Sequence, residues 1–84
     1  MKKVTLYTTE YCGYCMRAKS LLASLAVPFE EIDIANNENL RKEVIQKYNW
    51  FTVPMIFIGE KFIGGYDELS TLHYQGTLQK LLNE

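Results

Sequence analysis

The two cysteines of this chain, Cys12 and Cys15, are separated by only two residues. A disulfide between them would close a loop too short to tie distant elements together, so it cannot staple the fold. The chain has 84 residues, and a domain of this size buries only about 60 to 65% of the surface that its unfolded form exposes. The hydrophobic pattern must therefore specify a small core, and we expect one domain spanning residues 1–84.

Charge and hydropathy exclude several classes of protein. Nine Lys and Arg against ten Asp and Glu give a formal net charge of -1, which is not the basic footprint of a nucleic-acid-binding protein. No apolar run approaches the roughly 20 residues of a membrane span, and the first residues lack the apolar core of a secretion signal. We therefore expect a cytoplasmic protein. In that reducing compartment a Cys-x-x-Cys pair is more often catalytic or metal-binding than structural.

Hydrophobic periodicity predicts strands and helices in alternation. Ala18, Leu21, Leu22 and Leu25 form the apolar stripe of a first helix that stops before Pro28. The predicted elements are a strand at 4–7, a helix from residue 12, a strand at 29–34, a helix from about 36 to 49, a hairpin at 55–63 and a helix from residue 67 that Gly76 interrupts.

This order, β-α-β-α-β-β-α, predicts an α/β fold. The opening βαβ unit requires parallel strands and a right-handed crossover, and the hairpin adds antiparallel strands. We therefore expect a four-stranded mixed sheet with helices on both faces.

The predicted order places Cys12 where the first strand ends and the first helix begins. Unpaired backbone amides at a helix N-terminus lower the pKa of a thiol, and the thiolate is the nucleophile in disulfide exchange. Cys15 lies one turn further on, on the same side of the helix and less open to solvent. We therefore predict that Cys12 attacks and Cys15 resolves the resulting mixed disulfide.

Two other uses of the cysteines stay open. A zinc site needs about four ligands, and His73 is the only further obvious candidate. Inert structural cysteines are the second alternative, although such residues favour apolar positions within elements. The polar loop entering a helix favours redox chemistry.

Three motifs together resemble the dithiol glutaredoxins over the whole chain. They are Tyr7-Thr8 with Cys12-Gly13-Tyr14-Cys15 and Arg17-Ala18-Lys19, then Thr52-Val53-Pro54, and last Ile63-Gly64-Gly65-Tyr66-Asp67-Glu68-Leu69. The resemblance implies a thioredoxin fold, with residues 1–84 forming a single domain of that family. It also implies a glutathione-dependent thiol-disulfide oxidoreductase with a redox-active Cys12–Cys15 disulfide.

The resemblance further implies where glutathione binds. Pro54 should follow a cis peptide bond, so that the backbone of Val53 pairs with the cysteinyl residue of glutathione. The amides of Tyr66 and Asp67 should hold the γ-glutamyl carboxylate at a helix N-terminus, with the Asp67 carboxylate available to the ammonium group. The implied glutathione-binding residues are Tyr14, Thr52, Val53, Pro54, Gly65, Tyr66 and Asp67.

The chain departs from the family pattern at three places. Thr9 stands where many members carry a lysine for the glycyl carboxylate, and Lys47 is the cation we expect to replace it. Trp50 and Phe51 precede the Thr-Val-Pro motif where a polar or basic residue is common. They could form an apolar protein-docking face beside the groove or a platform under the tripeptide, but we expect at least one of them to pack on Tyr48 and the second helix. We also expect Tyr14 to be exposed beside the thiols and, on resemblance alone, Tyr7 to line the groove.

Gly13 replaces the usual proline between the cysteines. In some family members a small residue here accompanies a [2Fe-2S] cluster shared by two chains, with ligands from two Cys12 thiolates and two glutathione thiolates.

We expect a monomer whose partners are glutathione and glutathionylated or disulfide-containing proteins, ribonucleotide reductase among the candidates. Two alternative functions remain. One is a redoxin reduced by thioredoxin reductase that donates electrons to ribonucleotide reductase, and the other is a glutathione-ligated [2Fe-2S] carrier or sensor dimer.

Overall fold

The structure, a computed structural model, describes residues 1–84. The regular elements follow the predicted order, with one short helix added at the end. They are β1 (Val4–Thr8), α1 (Gly13–Ser24), β2 (Phe29–Asp33), α2 (Glu38–Tyr48), β3 (Met55–Ile58), β4 (Lys61–Gly64), α3 (Tyr66–Tyr74) and α4 (Leu78–Leu82).

The four strands form one mixed sheet in the order β2-β1-β3-β4. Strand β1 pairs in parallel with β2 and antiparallel with β3, and β3 pairs antiparallel with β4. Tyr7, near the end of β1, lies opposite Met55 at the start of β3. Because the two strands run in opposite directions, the loop after β1 and the loop before β3 meet at the same end of the sheet. The predicted mixed sheet is confirmed.

Each face of the sheet carries its own hydrophobic cluster. Alternation along β1 places Val4, Leu6 and Thr8 on one face, all of them buried. The cluster on that face draws on β1, β3, α1, α3 and α4, and its buried members are Val4, Leu6, Ala18, Leu22, Val27, Ile56, Ile58, Leu69, Leu78 and Leu82. The other face, under α2, has Ile34, Val44, Met55 and Phe57.

The boundaries of α2 follow from local side-chain chemistry. The Asn37 side-chain oxygen accepts a hydrogen bond from the Leu40 amide at 3.2 Å and so satisfies one of the unpaired N–H groups of the first turn. Asn49 ends the helix in the left-handed conformation, with φ of 53°, which asparagine tolerates better than most residues. Both ends agree with the sequence expectation.

Strand β2 is an edge strand, which explains the irregular alternation in its sequence. Glu30 and Glu31 are both exposed, and Glu30 forms an ion pair with Lys3. An edge strand that packs on few neighbours needs no strict apolar period, and charged side chains at an edge discourage pairing with other chains.

None of the helices combines the length and the apolar character that crossing a bilayer requires.

We predict that Gly64→Ala destabilises the fold more than Gly76→Ala. Both glycines have positive φ, 112° and 74° respectively, where an alanine costs about 1 to 3 kcal/mol. A Cβ on Gly64 would also lie 2.7 Å from Cγ of Glu68, whereas one on Gly76 has no heavy atom within 4 Å. Urea denaturation of the two variants measures the difference, and equal losses of unfolding free energy would contradict the steric account.

Candidate active site

The two cysteines form the redox centre at the start of α1, where they are joined by a disulfide. Cys12 is the N-cap, and its Sγ accepts a hydrogen bond from the Cys15 amide at 3.1 Å. Cys15 is only 2% exposed, while Cys12 is half-buried. An amide donor at a helix N-terminus stabilises a thiolate at Cys12. The geometry therefore makes Cys12 the accessible sulfur and Cys15 the shielded one.

The peptide bond between Val53 and Pro54 lies directly beside this centre. It is cis, as the sequence resemblance implies. The carbonyl oxygen of Val53 is 3.7 Å from Sγ of Cys12. The contact spans 41 positions of the chain, and the antiparallel pairing of β1 with β3 makes it possible.

A groove of about 690 Å³ runs from Val53, the partner of Cys12 in this contact, to the start of α3. It contains all seven of the residues that the resemblance implies for glutathione, together with Thr9. The lining residues are Thr9, Tyr14, Arg41, Trp50, Phe51, Thr52, Val53, Pro54, Met55, Gly65, Tyr66, Asp67 and Glu68. Two backbone segments far apart in sequence, 52–54 and 65–68, thus form opposite parts of one cavity.

The end of the groove at α3 is built from backbone. Gly65 is the N-cap of α3, and its own amide donates to Oε1 of Glu68 at 2.8 Å. The amides of Tyr66 and Asp67 in the first turn have no helical acceptor, which makes this end a favourable site for an anion. A Cβ on Gly65 would lie 3.3 Å from the Pro54 carbonyl oxygen. A glycine therefore lets the two backbone segments approach.

The two aromatic residues before the Thr-Val-Pro motif have separate roles. Trp50 packs edge-on against Phe62, with ring centroids 5.6 Å apart, and belongs to the cluster under α2. Its Nε1 is buried and has no hydrogen-bond partner. Phe51 is 62% exposed and borders the groove. The expectation that at least one of the pair packs with the second helix is confirmed for Trp50.

Tyr14 forms another wall of the groove and is 56% exposed beside the thiols, as expected. Its ring lies near that of Tyr66, with a centroid distance of 6.3 Å, and near the Arg17 guanidinium, whose Cζ is 5.3 Å from the ring centroid. Both contacts hold an exposed aromatic side chain in place.

Two residues that the sequence placed at the groove lie elsewhere. Tyr7 packs under α2 against Phe57, with ring centroids 5.1 Å apart, and is not among the lining residues. Its burial, followed by the negative charge of Glu43, raises the pKa of Tyr7 above its ordinary value. Lys47 places its Nζ 5.4 Å from the centroid of the Tyr48 ring and does not line the groove either.

The cation that does line the groove is Arg41, which sequence reasoning missed. It forms no ion pair with any carboxylate of the chain. Helical spacing places Arg41 on one stripe of α2 with Ile45 and Tyr48, and this was the available signal. The direction in which that stripe faces depends on how α2 packs on the sheet.

A polar network lies on the other side of the cysteines. The hydroxyl of Thr8, which is 3% exposed, donates to Oε2 of Glu31 at 2.7 Å, and Lys19 Nζ lies 3.0 Å from the same oxygen. These three residues line a cavity that also reaches Cys12 and Cys15. The hydrogen bond from Thr8, and then that from Lys19, lowers the pKa of Glu31. The network ties β1, β2 and α1 together behind the redox centre.

Comparison with known proteins agrees with this geometry. The family model described as Glutaredoxin matches residues 4–63. The chain belongs to the glutaredoxin family. Glutaredoxin 3 of Escherichia coli is 46% identical over 82 residues, covering 98% of this chain and 99% of that protein. A glutaredoxin of Pseudomonas aeruginosa is 45% identical over 83 residues, covering 99% of both.

Solved glutaredoxin structures have the same fold. A buckwheat glutaredoxin crystallised in complex with glutathione matches with a TM-score of 0.90 at 31% identity, covering 95% of this chain and 76% of that one. The solution structure of glutaredoxin from Brucella melitensis matches with a TM-score of 0.87 at 43% identity, covering 98% and 89%. The fold is thus the thioredoxin fold, and the protein is a dithiol glutaredoxin, a glutathione-dependent disulfide oxidoreductase.

We predict that Glu31→Gln lowers stability at neutral pH and that the deficit shrinks in acid. A carboxyl whose folded pKa is lowered contributes stability above its unfolded value, here 4.5, and loses that contribution as the pH falls through the folded value. Because the pair with Lys19 is partly exposed, the neutral-pH deficit should not exceed about 1 kcal/mol.

The matched control is Glu60→Gln, at a turn residue that is exposed and makes no ion pair. Urea denaturation at pH 7 and below pH 4 measures both variants. A Glu31→Gln deficit that stayed constant with pH would show that the ionised carboxylate is not the source of the stability.

Proposed function

We propose that the protein reduces protein–glutathione mixed disulfides and protein disulfides, with glutathione as the reductant. The observation that carries this proposal is the groove from Val53 to the start of α3, together with the 3.7 Å contact between the Val53 carbonyl oxygen and Sγ of Cys12. This arrangement brings together a nucleophile, a backbone edge and an anion site. These three features suit a short peptide with a central thiol and a carboxylate at its γ-glutamyl end.

The first reaction begins when the Cys12 thiolate attacks the glutathione sulfur of a protein–glutathione disulfide. A Cys12–glutathione bond forms, the protein–glutathione bond breaks, and the electron pair leaves on the protein thiolate, which takes a proton from solvent. A second glutathione thiolate then attacks the sulfur of the bound glutathione. Glutathione disulfide departs and the Cys12 thiolate is regenerated.

The second reaction uses both cysteines. Cys12 attacks a protein disulfide and forms a mixed disulfide with the substrate, whose other sulfur leaves as a thiolate. Cys15 then attacks Sγ of Cys12, releases the second substrate thiolate and leaves the Cys12–Cys15 disulfide. One glutathione thiolate opens this disulfide at Cys12, a second attacks the sulfur of the bound glutathione, and glutathione disulfide departs with both cysteines reduced. The burial of Cys15 keeps it out of reach of bulky substrates, and its place one turn along α1 keeps it in reach of Cys12.

We propose a single orientation for glutathione in the groove. The backbone of its cysteinyl residue pairs with Val53, beside the sulfur of Cys12. Its γ-glutamyl carboxylate binds the amides of Tyr66 and Asp67, with Tyr14, Thr52, Pro54 and Gly65 forming the surrounding walls. Gly65 adjoins the Pro54 carbonyl, so the γ-glutamyl end lies on the Pro54 side of Val53. The glycyl end then lies on the Thr52 side.

The glycyl carboxylate therefore needs a cation on the Thr52 side of the groove. Thr9 lines the groove but carries no charge, and Lys47 does not line it. Arg41 lines it and has no carboxylate partner within the chain. We propose that Arg41 pairs with the glycyl carboxylate in place of the lysine absent at position 9.

A cytoplasmic setting, in which thiols are kept reduced, suits this chemistry. Ribonucleotide reductase stays one proposed disulfide substrate, and reduction by thioredoxin reductase stays the alternative supply of electrons. The exposed Phe51 beside the groove and the uncharged Thr9 are the features that favour a protein reductant. The two sources of electrons are distinguished by measuring turnover with NADPH and glutathione reductase plus glutathione, and then with NADPH and thioredoxin reductase.

The alternative [2Fe-2S] form would need two chains. Within a single chain no group of three His, Cys, Asp or Glu side chains is placed to hold a metal ion, whereas a cluster needs four ligands. Two Cys12 thiolates and two glutathione thiolates would supply them. A Cβ on Gly13 would have no heavy atom within 4 Å, so a larger residue would fit at this position without a steric clash. Anaerobic purification with glutathione tests this form by its visible absorption and by the mass of the species in solution.

We predict that Cys12→Ser abolishes both reactions, whereas Cys15→Ser abolishes only the reduction of protein disulfides. Deglutathionylation needs the nucleophile alone, because the second glutathione resolves the intermediate. The glutathione-coupled reduction assay, run with a glutathionylated peptide and with a protein disulfide, measures both. Equal losses in the two variants would contradict the assigned roles.

We also predict that Arg41→Ala raises the KM for a glutathionylated peptide about two- to fivefold, as expected for loss of one exposed ion pair, with little change in kcat. Lys47→Ala removes a cation from the same helix outside the groove and should leave KM unchanged. The reverse result, a higher KM for Lys47→Ala alone, would restore Lys47 as the carboxylate partner.

A further inference from the structure

Phe51 is the one large apolar side chain of the groove that the chemistry of glutathione does not explain. It is 62% exposed and lines the groove next to Thr52. Its neighbour Trp50 packs into the cluster under α2, but Phe51 has no aromatic partner within the chain. Exposure of this large apolar ring to water is unfavourable, and the ring adds nothing to the core.

The orientation proposed above for glutathione places Phe51 beyond the end of the tripeptide. The γ-glutamyl end lies on the Pro54 side of Val53, so a bound chain runs antiparallel to residues 51–54. Glutathione has one residue after its cysteine and ends there. Phe51 lies two residues before Val53. The first residue able to reach Phe51 is therefore the second after the reacting cysteine, which a polypeptide has and glutathione lacks.

We propose that Phe51 is a specificity-determining residue for polypeptide disulfides, and that it binds an apolar side chain two residues after the cysteine that Cys12 attacks. This proposal rests on the proposed function, and in particular on the direction in which a chain lies in the groove.

The proposed pairing of Arg41 with the glycyl carboxylate agrees with separate modes of binding for glutathione and for a polypeptide. Arg41 lacks an ion-pair partner in the chain and suits a terminal carboxylate. An internal peptide residue has no such carboxylate, so a polypeptide cannot form an ion pair with Arg41. An apolar contact with Phe51 offsets the loss. Glutathione is thus held at this end by charge and a polypeptide by burial of apolar surface.

The test uses two pentapeptides blocked at both ends, each with a central cysteine joined to thionitrobenzoate. One carries leucine two residues after the cysteine, the other two residues before it, and glycine fills the remaining positions. The protein carries Cys15→Ser, so the reaction stops at the mixed disulfide. The Cys12 thiolate bonds to the peptide sulfur, the peptide–aryl disulfide breaks, and the electron pair leaves on the coloured thionitrobenzoate anion.

We expect the peptide with leucine after the cysteine to react about fivefold faster, a factor that corresponds to roughly 1 kcal/mol for one apolar cross-strand contact. Phe51→Ser should bring the ratio of the two rates close to one, and Phe51→Leu should keep most of it. Arg41→Ala should keep the ratio, since neither blocked peptide presents a carboxylate. Tyr74→Ala removes an aromatic that is 84% exposed on α3 outside the groove and should also keep it.

A ratio of one in the parent protein, or a ratio that survives Phe51→Ser, would overturn the role of Phe51. Glutathione joined to thionitrobenzoate serves as the reference substrate. If it reacts rapidly while the two peptides react alike, only the inference about Phe51 fails. If it reacts no faster than the peptides in any variant, the proposed binding of glutathione fails as well.

Discussion

The antiparallel pairing of β1 with β3 is the constraint on which the site depends. It places Tyr7 opposite Met55, so the loop that leaves β1 and the loop that enters β3 meet at one end of the sheet. The sulfur of Cys12 then lies 3.7 Å from the carbonyl oxygen of Val53. Without this pairing the cysteines would still begin a helix, but no backbone edge would lie beside them to receive a peptide.

In the binding mode proposed for glutathione, backbone groups more than side chains form the recognition surface. Two loops carry these groups. One holds the backbone edge at Val53 and the cis bond before Pro54, and the other leads to the free amides at the start of α3. The groups face one groove as long as the two loops are held at a fixed separation. The clusters on the two faces of the sheet supply that rigidity with few residues, so a small core is sufficient. The side chains that border the groove, such as Phe51 and Arg41, are not needed to hold the two loops in place, and the roles proposed for them concern substrate binding.

The elements that local chemistry decides match the sequence predictions. The apolar stripe of α1 and the Asn37 and Asn49 ends of α2 are local signals, and each was predicted. The predictions were less accurate for side chains whose position depends on the direction in which a helix or strand packs. Tyr7 and Lys47 were expected at the groove, but Tyr7 packs under α2 against Phe57, and Lys47 lies over the ring of Tyr48.

The sequence by itself determined the order of the elements and the place of Cys12 at a helix N-terminus, because helix caps, turns and hydrophobic periods act over a few neighbouring residues. Only the tertiary structure decided that Arg41 borders the groove, that Trp50 is packed while Phe51 is exposed, and that Thr8, Glu31 and Lys19 join behind the cysteines. These outcomes depend on how each helix is rotated about its axis and on which strands are neighbours. Contacts between residues distant in the chain settle both.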